Sequence, residues 1–314
     1  MLLVEYLAQW LESIKPMLRP VTYEAYTVYI NRHMIPYFTP YAYSLETITP
    51  MQIQQYVGTK LQGGRLDGHK GGLSVVSVRK HLNILRQSLD DAIRYGYIQS
   101  NPAKFVRLPR NRITLSKRCV FLSSDEALKV LSSLEEYHEM HLAVMLALFY
   151  GLRRSEVLGL QWKDIDFRNN SISICHTVVK GLTIHECDET KTLGSTAVYQ
   201  LMPEVKKALT LQRLETKKHK SIYVFSREDG TVMRPDCLTR TFQRCLKRHG
   251  FEKMRFHDLR HSTASILFDR GWSLEDVKQW LRHSDIETTS NIYTHYNNSR
   301  KMLIAKDISE IFSK

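Results

Sequence analysis

Long apolar runs are missing from this 314-residue sequence, and none approaches the roughly 20 residues that a membrane-spanning helix needs. The chain also shows no basic segment followed by a short apolar one at its start, which is the pattern of a secretory signal. We therefore expect neither membrane insertion nor secretion. Hydrophobic residues still make up 43% of the chain, which is enough to form ordinary buried cores.

Cysteine is scarce, with five residues and no C-x-x-C pair, so a disulfide framework is not expected and a reducing cytoplasm fits. Two of the cysteines, Cys175 and Cys187, together with His176 and His185, flank a predicted hairpin turn at 180–181. Their spacing matches no zinc pattern, and we predict no metal site there. The sequence also lacks the clustered carboxylates that a two-metal nuclease requires.

Acidic residues are outnumbered: 45 Lys and Arg stand against 32 Asp and Glu, which gives a net charge of +13. The excess is spread along the chain, with a net charge of +6 in residues 1–110 and +7 in the remainder. This distribution predicts a polyanionic partner that touches both halves. The alternative is a basic surface that only keeps the protein soluble.

Periodicity and breakers divide the chain into a helical domain at 1–105, a basic linker at 106–120 and a second domain at 121–314. The first domain is predicted to contain four helices: one at about 2–14, one from about 20 that ends before Pro36, one at about 50–61 and one at about 74–95. Thr49 is the predicted N-cap of the third, with proline at its first position. The linker has no hydrophobic periodicity, and its charge suggests that it follows a phosphate backbone.

The second domain opens with the capping box Ser123-x-x-Glu126 and mixes helices with a few short strands. Helices are predicted at about 124–135, 139–150, 153–160, 203–219, 235–249, 258–270, 274–281, 287–294 and 299–312. Strands are predicted at 171–179, 182–187 and 196–201, in one small antiparallel sheet. The predicted fold is therefore mainly α with a small antiparallel sheet, in the α+β class.

Two arginine segments of the second domain suit an anion. Arg153 begins a short helix after a glycine turn, and Glu156 lies one turn later on the same face, where it can orient the guanidinium. His257 and Arg260 also share one helix face and can together hold a phosphate and move a proton. Taken alone, the first segment is better explained by a surface salt bridge, and the spacing of the second occurs often by chance.

Two further segments carry a potential nucleophile and a potential acid. His283 ends one predicted helix, and Tyr293 follows ten residues later. Tyrosine is a rare nucleophile because its pKa is near 10, so a core role is the alternative for Tyr293. Lys191 lies on a predicted turn, where it can protonate a leaving oxygen; a solvated surface lysine is the alternative.

Together and in this order, the segments resemble the tyrosine recombinase (phage integrase) family. The resemblance rests on the stretches YGLRRSEVLGLQWKDID, ETKT, HDLRHSTAS and LRHSDIETTSNIYTH, and it covers about residues 115–300. Residues 1–105 resemble the family's helical core-binding domain through helix pattern only. The chain shows no sign of the additional arm-binding domain of many integrases, so we expect a short member or a piece of a longer protein.

The resemblance implies a role for each matching residue. Tyr293 would attack a DNA phosphate, form a 3′-phosphotyrosyl link and release a 5′-hydroxyl. Arg153 and Arg260 would hold the non-bridging oxygens, and Lys191 would protonate the leaving oxygen. The remaining matches are His257 for proton transfer, His283 as a hydrogen-bond donor to the phosphate, and Glu156 as the acidic support.

The function implied by the resemblance is site-specific DNA recombination through a four-way junction, without metal or ATP. The implied partners are double-stranded DNA sites, a homotetramer assembled by exchange of the C-terminal helix, and an accessory DNA-bending or excision factor. We favour integration and excision of a phage or conjugative mobile element in the cytoplasm, at the nucleoid. A chromosome- or plasmid-dimer resolvase is the alternative within the family.

Two departures from the family pattern stand out. Arg282 occupies the position before the histidine that usually holds glycine, and Thr196 stands near the place of a frequent arginine after the lysine. Basic residues outside these segments are predicted to contact DNA, with a solvated basic surface as the alternative: Arg79, Lys80, Arg86, Lys117, Arg118, Arg240, Arg244, Lys247 and Arg248. Two other functions remain open, a DNA-binding regulator without chemistry and a type IB topoisomerase.

Overall fold

The structure, a computed structural model, describes residues 1–109, 120–188 and 197–282, together with residues 309 and 311. The chain separates into two compact units. The first contains Met1–Lys117 and Gly181–Thr183, and the second contains Arg118–Lys180 and Ile184–Lys314. Most of the predicted linker, residues 110–119, lies outside the described residues, as do the predicted helix 287–294 and all but two residues of the predicted helix 299–312.

Five α-helices form the first unit within the described residues. They are α1 (Leu3–Ile14), α2 (Pro20–Tyr29), α3 (Ile35–Phe38), α4 (Pro50–Gly63) and α5 (Val75–Arg94). Helix α1 buries one apolar face, and α5 buries another along its whole length. Helix α4 begins with Thr49 as its N-cap and proline as its first residue, as the sequence predicted.

The helix predicted from about residue 20 to a point before Pro36 is interrupted rather than continuous. A π-helical turn at Ile30–Met34 separates α2 from α3, and the helical path then continues through Pro36 to Phe38. Because proline has no amide hydrogen and its ring crowds the preceding turn, a regular α-helix cannot run through this position. The regular helix α2 accordingly ends before Pro36, at Tyr29, whereas the continuation of the helical path through the π-turn and α3 was not predicted.

Seven α-helices belong to the second unit within the described residues. They are α6 (Ser124–Ser133), α7 (His138–Phe149), α8 (Arg154–Gly159), α9 (Pro203–Thr216), α10 (Pro235–Arg248), α11 (Asp258–Asp269) and α12 (Leu274–Leu281). Helix α7 is buried on almost every side and forms the centre of the core, in contact with α9, α11, α6 and α8. None of the described helices is both long and apolar enough to cross a bilayer.

Within residues 120–188 and 197–282, the β-structure forms two sheets instead of the single one predicted. Strands β1 (Ile165–Asp166), β2 (Ser171–Ile174) and β5 (Ala197–Gln200) form an antiparallel sheet in the order β1-β2-β5. Strands β3 (His176–Lys180) and β4 (Ile184–Asp188) form an antiparallel hairpin. The predicted strand at 171–179 thus divides at Cys175. The mainly helical α+β class is confirmed.

The hairpin leaves the first sheet because β3 packs directly on α8. A side chain built at Gly159, the last residue of α8, would place its Cβ only 2.3 Å from the His176 carbonyl oxygen. Glycine thus permits this close approach of helix to strand. The contact fixes α8, and with it the start of the arginine segment, against the hairpin.

Candidate phosphate-binding site

The first arginine segment forms a closed unit at the start of α8. Arg153 is the N-cap residue, and its backbone amide donates to Glu156 Oε2 at 2.7 Å. Its guanidinium Nη1 donates to Glu156 Oε1 at 2.8 Å. The Glu156 side chain is fully buried, whereas the Arg153 side chain remains 38% exposed. The carboxylate therefore orients the guanidinium and leaves part of it open to a ligand.

Arg260 lies in α11 and is almost completely buried. Its Nη1 donates to the Gly151 carbonyl oxygen at 2.5 Å, and its Nη2 donates to the Leu281 carbonyl oxygen. Burial, together with the positive charge of Arg153, lowers the pKa of Arg260 to about 9. Since this value is still above neutral pH, Arg260 remains a cation, and an anion that reached it would relieve the unfavourable burial.

His257 stands at the start of α11. Its side chain is exposed to solvent on one side, and protein packs closely around the rest of the ring. Desolvation by these surroundings, with the charges of His261, Arg260 and Arg153, lowers the pKa of His257 to about 4. The imidazole is therefore neutral at pH 7. The adjacent turn is held by Asp258, which accepts from the Arg255 guanidinium at 2.7 Å.

An open cleft of about 690 Å³ lies in the second unit. Arg153 and His257 line it, and three further cations join them: Arg154, Lys253 and Arg255. Among the described residues that line the cleft, no side chain is acidic. Such a surface attracts anions, and the guanidinium groups are suited to phosphate oxygens.

Arg282, at the end of α12, adds a second guanidinium to the Glu156 carboxylate. Its Nη2 lies 3.1 Å from Glu156 Oε2, and its side chain is 15% exposed. The guanidinium also lies over the Tyr199 ring, 5.8 Å from the centroid. Arg282, which stands where the family pattern has glycine, thus contacts the first arginine segment directly through Glu156.

The structure brings four of the predicted site residues together: Arg153, Glu156, His257 and Arg260. Their mutual electrostatic influence appears in the pKa shifts of Arg260 and His257. The other three predicted catalytic residues lie outside the described residues, as do two predicted DNA-contact residues. These five are Lys191, His283, Tyr293, Lys117 and Arg118.

The predicted DNA-contact residues of the first unit differ in their surroundings. Arg79 and Lys80 are exposed on α5. Arg86 is partly buried instead, and its guanidinium donates to the carbonyl oxygens of Ala103 and Val106 at 3.0 and 3.1 Å. These bonds give Arg86 a structural role, because they fix the segment after α5 against that helix.

The candidates of α10 share one exposed helix face. They are Arg240, Arg244, Lys247 and Arg248. Opposite this face, α10 buries Leu238, Phe242 and Leu246 in the core of the second unit. Helix α10 therefore presents a basic stripe to solvent, which suits backbone phosphates without indicating a base sequence.

Sequence reasoning missed part of the cleft. It assigned no role to Lys253, Arg255 or Arg154, although two of these cations stand just before His257 and the third follows Arg153. The basic run before the histidine was the available signal. Arg154 is anchored by a 2.7 Å bond from its Nη1 to the Thr239 hydroxyl, a contact that sequence spacing does not reveal.

No group of three or more His, Cys, Asp or Glu side chains with the geometry of a metal site occurs among the residues described. The predicted hairpin pairs Thr177 with Cys187 and Val179 with His185. His176 lies 3.6 Å from the carboxylate of Asp164.

Comparison with protein families gives two matches. The phage integrase family matches residues 120–300, and the N-terminal SAM-like domain of phage integrases matches residues 2–61. The first match alone covers more than half of the chain. It includes the arginine segments, the predicted lysine turn and the predicted tyrosine segment.

Curated relatives and solved structures agree with the family match. A XerC-like tyrosine recombinase of Caldanaerobacter subterraneus is 28% identical over 96% of this chain and 81% of its own length. The ICEBs1 integrase of Bacillus subtilis is 27% identical over 92% of this chain and 77% of its own. The Tn1549 transposon integrase, solved in complex with a circular intermediate DNA, superposes with a TM-score of 0.77 at 19% identity, covering 97% of this chain and 99% of that one.

Proposed function

The chain belongs to the phage integrase family of tyrosine recombinases, and from this premise we propose that it cuts and rejoins double-stranded DNA through a covalent 3′-phosphotyrosine link at Tyr293. The predicted family and the predicted class of enzyme, a site-specific recombinase, are confirmed by the match. The observation that carries the proposal is Arg153, oriented by Glu156, on a cleft without acidic side chains among its described lining residues, with the buried cation Arg260 close enough for their charges to interact.

This arrangement suits a phosphodiester in reaction. The transition state at phosphorus carries extra negative charge, which is best stabilised by positive groups that are already in place. Arg260 is held by two carbonyl oxygens, and Arg153 is held by Glu156. Neither group must reorganise when the charge develops, so each contributes to the rate and not only to binding.

The assignment of the remaining chemical steps follows the family motif. The Tyr293 hydroxyl oxygen forms a bond to phosphorus, and the bond from phosphorus to the 5′-oxygen breaks. Lys191 supplies a proton to that leaving oxygen, and His283 donates a hydrogen bond to the phosphate. His257, which is neutral at pH 7, takes the motif's role in proton transfer. The phosphotyrosyl link keeps the energy of the broken phosphodiester, and the proposed chemistry uses neither metal nor ATP.

We place the protein with the mobile-element integrases. The ICEBs1 and Tn1549 integrases support this choice by their names. Strand exchange joins two duplexes and requires four strands to be cut, which is the reason for proposing a homotetramer on two DNA sites. Residues 299–312 are the segment proposed to link protomers. An accessory DNA-bending or excision factor would set the direction of the reaction.

A strand-exchange assay tests the proposal. Sites are first enriched from random duplexes by binding, and two copies of an enriched site are placed on one supercoiled plasmid. The wild-type protein is expected to delete or invert the intervening DNA, whereas Tyr293→Phe is expected to bind the sites without recombining them. Tight binding without recombination by the wild type, with or without a bending protein, would favour a regulator. Relaxation of plasmids that lack the site would favour a topoisomerase.

A further inference from the structure

Arg282 occupies a backbone position that disfavours any residue with a side chain. It follows α12 with φ 55° and ψ 50°, in the left-handed region that suits glycine. A long cationic side chain at such a position indicates a compensating interaction. The compensation lies in the contacts of its guanidinium with Glu156 and with the Tyr199 ring.

The Glu156 carboxylate is shared between two guanidinium groups from different elements. Arg153 Nη1 donates a hydrogen bond to Oε1 at 2.8 Å, while Arg282 Nη2 lies 3.1 Å from Oε2. Oε2 also accepts from the Arg153 backbone amide. One buried carboxylate thus ties the start of α8 to the end of α12.

The turn that carries Arg282 is also tied to the second site arginine. The carbonyl oxygen of Leu281, the preceding residue, accepts a hydrogen bond from Arg260. The α12 terminus therefore contacts both arginine segments, through the Arg282 side chain on one side and the Leu281 backbone on the other. A shift of this turn would displace Arg153, Arg260 and their shared support together.

The sharing of the two Glu156 carboxylate oxygens between Arg153 and Arg282 has a consequence for the hydrogen bonds of Arg153. A guanidinium that pairs alone with a carboxylate commonly uses two parallel N–H donors. Here Oε2 accepts from the Arg153 backbone amide and forms an ion pair with Arg282, and the guanidinium of Arg153 bonds Glu156 through Nη1. Its other donors remain available at the cleft. The second cation also leaves the Arg153–Glu156–Arg282 group with net positive charge.

We propose that Arg282 is a positioning residue for the phosphate site: by holding Glu156 Oε2 it fixes the carboxylate and leaves the remaining donors of Arg153 directed at the scissile phosphate. The inference rests on the proposed function, because its role is defined by that phosphate. Arg282 itself need not touch DNA.

The experiment compares Arg282→Gly and Arg282→Lys in single-turnover cleavage of a nicked duplex at saturating DNA. Glycine suits the left-handed backbone, so Arg282→Gly is expected to unfold at a temperature no lower than the wild type. Its cleavage rate is expected to fall at least tenfold, while the DNA dissociation constant changes less than threefold. Arg282→Lys, which keeps the charge but not the planar fork, is expected to recover part of the rate.

A double-mutant cycle with Arg153→Lys separates positioning from an independent contribution. If Arg282 acts through Arg153, removing it from the Arg153→Lys background should slow cleavage less than threefold. Multiplicative losses would overturn the proposal, as would an Arg282→Gly rate within twofold of the wild type. A lowered unfolding temperature with weaker DNA binding would show a structural role instead.

Lys220→Gly is the matched control, because Lys220 is also a cation in the left-handed region, at φ 49° and away from the cleft. It should leave cleavage unchanged. A second readout needs no chemistry: inorganic sulfate should raise the unfolding temperature of the wild type, and Arg282→Gly should weaken this dependence. If the wild type fails to cleave DNA, the proposed function fails, and the sulfate response still decides the inference about Arg282.

Discussion

Replacing Gly151 with alanine should disturb stability and chemistry together, because this glycine holds the backbone on which Arg260 rests. Gly151 has φ +64°, and a Cβ built there would lie 2.1 Å from Leu281 Cδ2. The left-handed conformation costs an alanine about 1 kcal/mol. Forcing Leu281 aside in a packed core adds about 1–3 kcal/mol. We expect Gly151→Ala to lower the free energy of unfolding by about 2–4 kcal/mol.

Gly250→Ala is the control for the backbone contribution. Gly250 has φ +73°, but nothing lies within 4 Å of a Cβ built there. This variant should lose only about 1 kcal/mol. For a domain of 150–250 residues, a 2 kcal/mol difference between the two variants corresponds to a melting temperature about 4–8 °C lower for Gly151→Ala.

The same substitution should slow DNA cleavage under conditions where the variant is still folded. Gly151 and Leu281 both supply carbonyl oxygens to Arg260, so separating them moves the guanidinium. Thermal melting monitored by circular dichroism and single-turnover cleavage at a low temperature provide the two measurements. Equal melting temperatures for Gly151→Ala and Gly250→Ala would refute the close packing of Gly151 against Leu281, and wild-type cleavage by Gly151→Ala would refute its consequence for Arg260.

Three further predictions concern charge. Arg153→Lys should keep DNA binding but slow cleavage on the order of 100-fold, because an ammonium group cannot present a planar fork; an unchanged single-turnover rate would count against this role. Burial lowers the pKa of His81 from 6.5 to about 4. Below pH 6.5 the unfolded chain therefore binds a proton at this histidine that the folded chain does not bind. The first unit should lose about 3 kcal/mol of stability by pH 4. Urea unfolding of His81→Gln should show a weaker acid loss than the wild type, whereas the exposed His69→Gln should not differ from it. DNA binding should weaken by about 10³-fold or more between 50 and 200 mM salt, and titrations that show a flat dependence would contradict contacts with many phosphates.

Most helices could be predicted from the sequence because neighbouring residues, such as N-caps, determine where a helix begins. The capping box at Ser123 and the N-cap at Thr49 begin helices where expected. Local patterns failed where distant packing decides the path. The division of the long strand at Cys175 depends on the contact of β3 with Gly159, which lies 17 or more residues before β3 along the chain. The π-turn before Pro36 could have been anticipated from that proline.

The site was partly predictable for a similar reason. The spacing of Arg153 and Glu156 within one helical turn predicted their ion pair, which the structure contains. It could not show that Arg282, more than a hundred residues later, shares the same carboxylate. Nor could it reveal that Arg260 is buried and held by backbone oxygens, since those acceptors are present in every residue. The tertiary arrangement alone selects which oxygens face the guanidinium.

The most direct test of the account is to identify the residue that becomes linked to DNA. The protein is mixed, in EDTA, with nicked duplexes that lose a short 5′-hydroxyl fragment after cleavage, and the trapped adduct is digested and mapped by mass spectrometry. The account predicts a DNA 3′-phosphate attached to Tyr293, formed without a divalent metal and absent in Tyr293→Phe. An adduct at another residue, or an adduct that persists in Tyr293→Phe, would contradict the central claim.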